Sequence, residues 1–391
     1  MINGSKVVEK PIRWAMVGGG KGSQIGYIHR SAALRDNNFQ LVAGAFDINP
    51  ERGIAFAKEL GVAEDRAYPD YKTMFAEEAK REDGIQAVSI ATPNGLHYEV
   101  CKAALEAGLH VVCEKPLCFT TKEAEELVAL AKEKNRIVGV TYGYSGHQMI
   151  QQARQMIKHG DLGEIRVINM SFAFGGYNYK IEETNPAAKW RFDPKKAGPS
   201  FALADVGTHP LYIIEAMIPD MEIDSLMCTR QSFVEGRELE DNAFTIMNLK
   251  GSKSVQEGAQ VYVWSSSINC GARHDHKIRI VGSKASIEWD DERPNQMTYE
   301  IEGEPVRTLE RGAGYLYPEA RVEDRIGGGH AEGLHDAWAN LYRRFALAMG
   351  GQDSSEYGDF WFPDVAAGAQ GVKWIEKCVE SADNGSKWVK F

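Results

Sequence analysis

The sequence predicts an α/β protein of two domains, a doubly wound parallel sheet followed by an α+β domain whose sheet is mostly antiparallel. In the first third of the chain, short apolar runs alternate with segments of helical spacing, whereas after about Gly143 the apolar residues follow a period of two. The length of 391 residues also exceeds the ~250–300 residues that a single core usually serves. We therefore expect one domain over residues 1–143 and a second over 144–391.

The N-terminal strands are predicted from continuous apolar or β-branched runs, which are typical of strands buried on both faces of a parallel sheet. They are Ile12–Val17, Phe39–Phe46, Ala87–Ile90, Leu109–Cys113 and Ile137–Tyr142. Apolar residues three and four apart indicate helices between them, at Pro50–Leu60, His97–Ala107 and Thr121–Lys134. A repeated order of strand, helix and strand is the doubly wound pattern.

In the C-terminal part, a helix over His147–His159 ends at Gly160, and strands with period-two alternation follow. The strands are Ile165–Phe174, Ser225–Phe233, Asn242–Leu249, Val255–Trp264 and His276–Val281. Further helices are predicted over Gly207–Met217, Glu332–Met349 and Pro363–Ser381. Residues 178–200 and 293–329 are expected to form long ordered loops.

The composition excludes several classes of protein. Hydrophobic residues make up 43% of the chain and charged residues 26%, which is typical of a globular protein. The net charge of −10, without any basic block, argues against nucleic acid or an anionic membrane as a partner. Residues 1–10 lack the apolar run of a leader, and no window approaches the ~18 apolar residues of a membrane span. Because the six cysteines are scattered and form no CxxC pair, we expect reduced, buried thiols in a soluble, cytoplasmic protein.

A glycine-rich turn, Gly18 to Gly26, joins the first strand to the first helix. Glycines there allow the backbone to approach a pyrophosphate, whose charge is met by N–H groups at the helix N-terminus. The spacing departs from GxGxxG because Gly26 lies two residues late, and the helix is expected to begin near Ile25. The residues predicted to bind a dinucleotide are Gly18, Gly20, Gly22, Ser23, Gln24 and Ile25. A glycine-rich turn without a ligand is the alternative.

Asp47 ends the second predicted strand, 29 residues after Gly18. A carboxylate at this position accepts hydrogen bonds from both hydroxyls of an adenosine ribose and repels a 2′-phosphate. The sequence therefore favours NAD over NADP.

Glu114, Lys115 and Pro116 follow the fourth predicted strand. Ligands of open α/β sheets bind outside the carboxyl ends of the strands, which places Lys115 in the ligand cleft. Pro116 fixes φ, makes the turn rigid and allows a cis bond before it. A surface lysine in a tight turn is the alternative explanation.

Asp205 and His209 stand at the start of an apolar helix in the second domain. Residues four apart share one face of a helix, and a histidine can act as a general base while a carboxylate orients it. An N-cap aspartate beside a merely buried histidine remains the alternative.

Together these motifs resemble the Gfo/Idh/MocA family, the glucose–fructose oxidoreductase and inositol dehydrogenase group. The resemblance covers nearly the whole chain. It rests on the glycine turn with Gly26-Tyr-Ile-His29, on Ala91-Thr-Pro-Asn94 followed by His97, on Glu114-Lys-Pro116, and on Asp205-Val-Gly-Thr-His209. It implies an N-terminal Rossmann domain, a C-terminal α/β domain with a large open sheet, NAD(P), and hydride transfer at a secondary alcohol of a sugar or cyclitol.

The resemblance carries catalytic roles to Lys115, Asp205 and His209. It implies that His209 takes the hydroxyl proton, that Lys115 hydrogen-bonds the same oxygen, and that Asp205 orients His209 or a neighbouring hydroxyl. The implied cofactor set also includes Thr92, Pro93 and Asn94 beside the nicotinamide, His97 near its ribose, and Glu114 with Lys115.

The chain departs from the family pattern in three places. Residues 21–24 lengthen the glycine turn, Gly143-Tyr144-Ser145 replaces a common Asn-Tyr-Arg, and Ala197-Gly198-Pro199-Ser200 replaces a glycine-rich run before the catalytic aspartate. These departures point to a subgroup with its own pocket.

Polar and aromatic residues of the second domain are the candidates for contact with a substrate. Besides the catalytic residues, the predicted substrate set contains Tyr144, His147, Trp190, Arg191, His330 and Glu332. A site that mixes these groups suits the hydroxyls and faintly apolar faces of sugars and cyclitols. The alternatives are a core position for Trp190, a surface ion pair for Arg191, and a first-turn helix carboxylate for Glu332.

His274 and His276 could suggest a metal, because alternate residues of a strand share a face. No third ligand is spaced to help them. Solvated strand residues, and no metal, are therefore expected.

The sequence thus predicts an NAD-dependent dehydrogenase that acts on a secondary hydroxyl of a cyclitol, a sugar or a glycoside. The family resemblance also implies a homo-oligomer, a tetramer or dimer built through the open faces of the C-terminal sheets. Two alternatives stay open. One is a glycosidase that keeps NAD bound and acts through a transient 3-keto sugar, and the other is a sensor of NAD or sugar without turnover.

Overall fold

The computed structural model describes residues 7–185, 188–351, 353–355 and 358–391. Residues 1–6 of the segment inspected for a leader, and residues 186–187 of the predicted loop 178–200, lie outside this description. No helix formed by the described residues has both the length and the apolar character that crossing a bilayer requires.

The N-terminal part alternates strands with helices. These elements are β1 Ile12–Gly18, α1 Gln24–Arg35, β2 Phe39–Ala45, α2 Pro50–Glu59, α3 Tyr71–Glu78, β3 Ala87–Ala91, α4 His97–Glu106, β4 His110–Cys113, α5 Thr121–Lys134 and β5 Val138–Val140. The strands form one five-stranded parallel sheet in the order β2-β1-β3-β4-β5. The predicted doubly wound sheet is confirmed, and β1 and β3 flank the point where the strand order reverses, where such sheets bind ligands.

Four of these helices begin at a polar cap. The side chains that accept a backbone N–H of the first turn are Ser23, Asn49, Asp70 and Thr120. In α5 the cap is reciprocal, because Glu123 also accepts the N–H of Thr120. Each cap fixes where a helix begins, and so sets the length of the turn after the preceding strand.

The C-terminal part contains the remaining elements. Its helices are α6 Gln148–His159, α7 Ile181–Thr184, α8 Pro194–Ala197, α9 Thr208–Met217, α10 Pro318–Arg321, α11 Leu334–Gly350 and α12 Val365–Asp383. Its strands are β6 Ile165–Ala173, β7 Ile223–Gln231, β8 Asn242–Leu249, β9 Val255–Ser266, β10 His276–Gly282, β11 Ala285–Asp290, β12 Gln296–Ile301, β13 Arg307–Glu310 and β14 Val389–Lys390.

The C-terminal strands form one nine-stranded sheet in the order β13-β12-β11-β10-β6-β9-β8-β7-β14. Every neighbouring pair is antiparallel except β6 and β9. Burial alternates along β8, β9 and β10, which is the pattern of a sheet with one covered face. The predicted mostly antiparallel sheet is confirmed.

The prediction of a long loop over residues 293–329 is wrong. Strands β12 and β13 form a hairpin within it, next to β11. Strand β13 is mostly exposed at the edge of the sheet and β12 is only partly buried, so neither strand carries the alternating apolar residues that reveal a half-buried strand.

The described chain divides into two compact units. The C-terminal unit contains Tyr144–Gly333 and Gln370–Phe391, and the N-terminal unit contains the described residues from 7 to 143 together with Leu334–Ala369. The division after Gly143 coincides with the predicted boundary, but Leu334–Ala369 joins the N-terminal unit instead of the domain predicted over 144–391. The reason is apolar burial, since Tyr342 of α11 packs against Trp14 and Phe39 in the core of that unit.

Candidate active site

The turn after β1 brings backbone closer to backbone than a side chain would allow. Gly18 has φ of +76°, and a Cβ there would lie 2.5 Å from the carbonyl oxygen of Ala91 at the end of β3. A Cβ on Gly26 would overlap the carbonyl of Gly19, so α1 lies directly against the turn. Gly26, late in the sequence motif, therefore supplies the close contact between helix and turn that such motifs require of their last glycine.

The N-terminus of α1 opens beside this turn. The helix begins at Gln24, one residue before the expected Ile25, and Ser23 caps it by accepting the N–H of Gly26 at 3.1 Å. Gly22 has φ of +82° and open space on its Cβ side. The predicted phosphate-binding residues thus lie at a helix N-terminus, where the helix dipole and free N–H groups favour an anion.

Asp47 lies just beyond β2, and one oxygen of its carboxylate is already hydrogen-bonded within the protein. The N–H of Asn49 and the guanidinium of Arg52 both donate to Oδ1, at 2.9 and 2.8 Å. These hydrogen bonds, that from Arg52 above all, lower the pKa of Asp47. No described residue donates to Oδ2, which leaves an ionised oxygen to accept from a ligand.

Thr92 follows β3 and packs over the glycine turn, its Cγ2 being 3.1 Å from a Cβ built on Gly18. Its hydroxyl is buried and has no hydrogen-bond partner within the described chain. Pro93 is exposed and Asn94 is buried in the short helical turn that follows. A glycine turn that admits no side chain, an ionised carboxylate and an orphan hydroxyl at one sheet edge fit a dinucleotide.

The prediction that His97 lies near the cofactor ribose is corrected by the structure. Its side chain is fully buried, with Nδ1 2.7 Å from the carbonyl oxygen of Pro116 and Nε2 3.0 Å from that of Thr92. The imidazole therefore ties the turn after β4 to the turn after β3. It positions the residues that follow both strands and has no surface with which to touch a ligand.

Lys115 is half-buried at the carboxyl end of β4, and the Lys115–Pro116 peptide bond is cis. Glu114, predicted to bind the cofactor, instead directs its carboxylate inward to His29 at 3.1 Å and Thr141 at 2.5 Å. Burial alone would raise the pKa of Glu114, but the hydrogen bond from His29 and the nearby charge of Lys115 lower it. Glu114 is thus an ionised anchor that holds the turn carrying Lys115.

A buried polar chain continues from this anchor. Nδ1 of His29 lies 2.5 Å from the hydroxyl of Tyr342, which lies 2.7 Å from the hydroxyl of Ser89. Ser89 in turn accepts the indole N–H of Trp14 at 2.9 Å. Every member is buried and satisfied, so the chain fixes the strand ends rigidly.

In the C-terminal unit, Asp205 and His209 lie on one helical run. Residues Ala202–Gly207 form a π-helical turn that continues directly into α9, a geometry frequent at functional sites. Arg191 donates from Nε to Oδ2 of Asp205 at 3.3 Å and stacks on the ring of Trp190 at 4.6 Å. Arg191 is therefore more than a plain surface ion pair, because its Nε already orients Asp205.

His209 is nearly buried among aromatic rings. Its ring centroid lies 4.9 Å from that of Tyr144, edge to face, and 5.9 Å from that of Phe172. Tyr144 is the residue of Gly143-Tyr144-Ser145 that is shared with the common Asn-Tyr-Arg pattern, and it is partly exposed. The predicted groups Tyr144, Asp205 and His209 thus share one region of this unit.

The prediction of solvated strand residues at 274 and 276 is wrong for His276, whereas His274 stays partly exposed just before β10. His276 is fully buried, and burial lowers its pKa to about 3. Asp291 is the third group that the sequence did not show, with Oδ2 2.7 Å from Nδ1 of His274 and Oδ1 3.4 Å from Nε2 of His147. Burial alone would raise the pKa of Asp291, but these two imidazoles hold it well below its usual range.

Glu332, predicted to bind substrate, has an internal role. Its carboxylate is buried, with Oε1 3.1 Å from Arg311 and Oε2 2.7 Å from the amide of Gln148. It also accepts the N–H groups of Arg325 and Ile326. The exposed His330 lies in the same loop, and its carbonyl accepts a hydrogen bond from Arg311. These hydrogen bonds fix the position of the loop.

Two family models together match nearly the whole chain. The model of the oxidoreductase family, NAD-binding Rossmann fold, matches residues 12–142, and that of the C-terminal alpha/beta domain matches residues 154–391. The chain belongs to the Gfo/Idh/MocA oxidoreductase family. The predicted resemblance and its NAD-binding domain are confirmed.

Several relatives of this Gfo/Idh/MocA chain match it over their full length. The uncharacterized oxidoreductase YfiI of Bacillus subtilis is 54% identical over 397 residues, 100% of both chains. The crystal structure of an inositol dehydrogenase homolog from Azotobacter vinelandii with NAD+ has a TM-score of 0.96 at 59% identity, covering 100% of both chains. Its structure with NADH and myo-inositol has a TM-score of 0.93 at 58% identity, again over 100% of both.

The sequence does not reveal the roles of several residues around the site of this Gfo/Idh/MocA chain. His29 stood inside a recognised motif, yet nothing in its spacing showed that it would bind Glu114. Arg52 follows Asp47 by five residues across a helix cap, a local signal that could have been used. Asp291 and Arg311 meet their partners only through long-range pairing, and no sequence pattern announces them.

Proposed function

We propose that the protein is an NAD-dependent dehydrogenase that oxidises a secondary hydroxyl of a cyclitol or sugar ring. The observation that carries this proposal is the 58% identity, over the full length of both chains, to the Azotobacter protein crystallised with NADH and myo-inositol. We assign cofactor binding to the N-terminal unit and substrate binding to the C-terminal unit.

In this proposal the residues at the carboxyl edge of the parallel sheet hold the cofactor. The N-terminus of α1 meets the pyrophosphate, Oδ2 of Asp47 accepts the ribose hydroxyls, and the buried hydroxyl of Thr92 finds its missing partner in the ligand. When bound, NAD supplies the carbon that accepts a hydride.

The acid–base work falls to three side chains. Loss of hydride from a carbinol carbon leaves an oxygen whose proton must go to a base, and His209 takes that proton. Lys115 donates a hydrogen bond to the same oxygen and stabilises its alkoxide character. Asp205, held by Arg191, orients His209 or a neighbouring hydroxyl.

The C-terminal unit offers groups suited to a ring with several hydroxyls. Tyr144, His147 and Arg191 supply hydrogen-bonding atoms, while Trp190 supplies an aromatic wall. Such a mixture matches the hydroxyls and weakly apolar faces of a cyclitol or pyranose.

We also propose that the chain forms a homo-oligomer through the open face of the nine-stranded sheet. On that face Phe244 is 48% exposed and stacks on Trp264, with centroids 5.6 Å apart, and Tyr262 is 39% exposed beside them. An exposed cluster of large aromatic side chains is unusual on a monomer and typical of an interface.

A panel of inositols, aldoses and simple glycosides, each with NAD and separately with NADP, tests the dehydrogenase directly by the absorbance of reduced nicotinamide. We expect NADH to accumulate with one group of substrates. Sugar release from glycosides without net NADH would support the glycosidase with tethered cofactor, and binding without either product would support the sensor. Either result would overturn the proposal.

A further inference from the structure

Three side chains of the C-terminal unit form a cluster that the proposed reaction does not use. They are His274, His276 and Asp291, and each offers one ligand atom within 4.8 Å of the other two. The backbone brings them together, because β10 begins at His276 and the N–H of Asp291, just after β11, donates to the carbonyl of His276 at 3.0 Å.

His276 is the member whose environment most needs explanation. The ring has no exposed surface, and neither of its nitrogens has a hydrogen-bond partner in the described chain. A buried polar group without a partner is costly, and native proteins seldom retain one without a ligand, a water or an ion. The ring is held in place, since it stacks on Phe172 at 4.3 Å and meets the Tyr144 ring edge-on at 4.7 Å.

We propose that His274, His276 and Asp291 bind a divalent transition-metal ion of the zinc type. Two imidazoles and one carboxylate are a ligand set of catalytic zinc sites, in which a fourth position stays open. Ligand atoms on one tetrahedral zinc lie ~3.3 Å apart, given metal–ligand bonds of about 2.0–2.1 Å, so modest rotation of the side chains closes the site. The three residues lie where the start of β10 pairs with the end of β11: His276 is the first residue of β10, His274 precedes it by two residues, and Asp291 directly follows β11. This pairing of the backbone holds the donor atoms near the required geometry.

Neighbouring groups are arranged as supporting partners of such a site. His274 itself donates from Nδ1 to Asp291, and its Nε2 lies 3.2 Å from the Tyr144 hydroxyl. Nε2 of His147 stands 3.4 Å from the other oxygen of Asp291. Groups of this kind orient ligands and tune metal affinity.

The proposal goes beyond the dehydrogenase activity and does not depend on it. Metal binding is measured on the full chain without a polyhistidine tag, stripped by a chelator, in the absence of nucleotide and sugar. Isothermal titration with Zn2+ gives the stoichiometry and affinity, and the visible spectrum of added Co2+ reports on the ligand geometry. The variants are His276→Gln, Asp291→Asn and the less buried His274→Gln. His159→Gln is the matched control, because His159 stacks on Tyr317 away from the cluster.

We expect one Zn2+ per chain for the wild type and for His159→Gln, and an affinity at least about tenfold lower in each cluster variant. The wild-type Co2+ spectrum should show the intense visible bands of a low-coordinate site. Absence of stoichiometric Zn2+ binding by the wild type would overturn the proposal, and so would wild-type affinity in a folded His274→Gln variant. The Zn2+ titration and the Co2+ spectrum of the wild type test the proposal even if a buried variant fails to fold.

Discussion

Replacing Asp47 with serine tests how the chain selects its cofactor. The structure commits Oδ1 of Asp47 to Arg52 and Asn49 and leaves Oδ2 available. Serine removes the ionised oxygen that would accept the ribose hydroxyls. It also releases the guanidinium of Arg52, which is largely exposed and well placed to pair with a 2′-phosphate.

The magnitude follows from one charge-assisted hydrogen bond. Such a bond contributes about 1.5–3 kcal/mol, and about 1.4 kcal/mol corresponds to a factor of ten. The kcat/KM for NAD should therefore fall by about 10- to 150-fold in Asp47→Ser. The kcat/KM for NADP should rise, because the repulsion between carboxylate and 2′-phosphate disappears.

The assay compares kcat/KM for both nucleotides at a fixed substrate concentration. Asp65→Ser is the control, since Asp65 is an exposed carboxylate paired with Arg81 at 2.8 Å, the same distance as between Asp47 and Arg52. Its nucleotide preference should equal that of the wild type. An unchanged NAD to NADP ratio in a folded Asp47→Ser variant would refute the role assigned to Asp47.

Four further predictions concern catalysis, stability and assembly. Lys115→Ala and His209→Ala should each lower kcat by about 10²–10⁴-fold while NAD affinity by fluorescence titration stays near wild type; full turnover in both would contradict the mechanism. Glu332→Ala should lower the free energy of unfolding by about 3–5 kcal/mol, whereas a raised substrate KM in an equally stable variant would restore its predicted substrate role. Burial lowers the pKa of His110 to about 4, against about 6.5 in the unfolded chain, so the unfolded state binds a proton first as the pH falls and the free energy of unfolding decreases between about pH 6.5 and pH 4. In urea unfolding, His110→Gln should lose about 1–2 kcal/mol less of this free energy than the wild type when the pH is lowered to about 5. Phe244→Glu should convert the oligomer to monomer by light scattering, and a monomeric wild type would exclude the sheet face as an interface.

The parallel sheet was predictable because each of its strands is a short apolar run bounded by a turn. Gly18, Asp47, Thr92 and Lys115 each lie at or just beyond the end of one of these strands. Because parallel strands end at one edge of the sheet, the grouping of these residues followed from topology alone. The hairpin of β12 and β13 was not predictable in this way. Its residues are largely exposed, and apolar periodicity reports only on buried faces.

The roles of single polar side chains were harder to predict than their neighbourhoods. Glu114 and His97 lie in recognised motifs and Glu332 belongs to the predicted substrate set, yet each is buried and bonded within the protein. Sequence spacing shows that a residue lies near a strand end, whereas the direction of its side chain depends on distant partners such as Arg311 and His29. Leu334–Ala369 was predicted to belong to the second domain because of its place in the chain. Its apolar side chains instead pack in the core of the N-terminal unit.

In the proposed reaction, hydride leaves a carbinol carbon of the substrate for nicotinamide. Its most direct test uses a substrate identified in the panel, deuterated at every ring carbon, with NAD and the wild-type protein, followed by mass spectrometry of the nucleotide. We expect one deuterium in the reduced nucleotide and a slower turnover than with the unlabelled substrate. Reduced nucleotide without deuterium, or consumption of the labelled substrate with no reduced nucleotide, would contradict it.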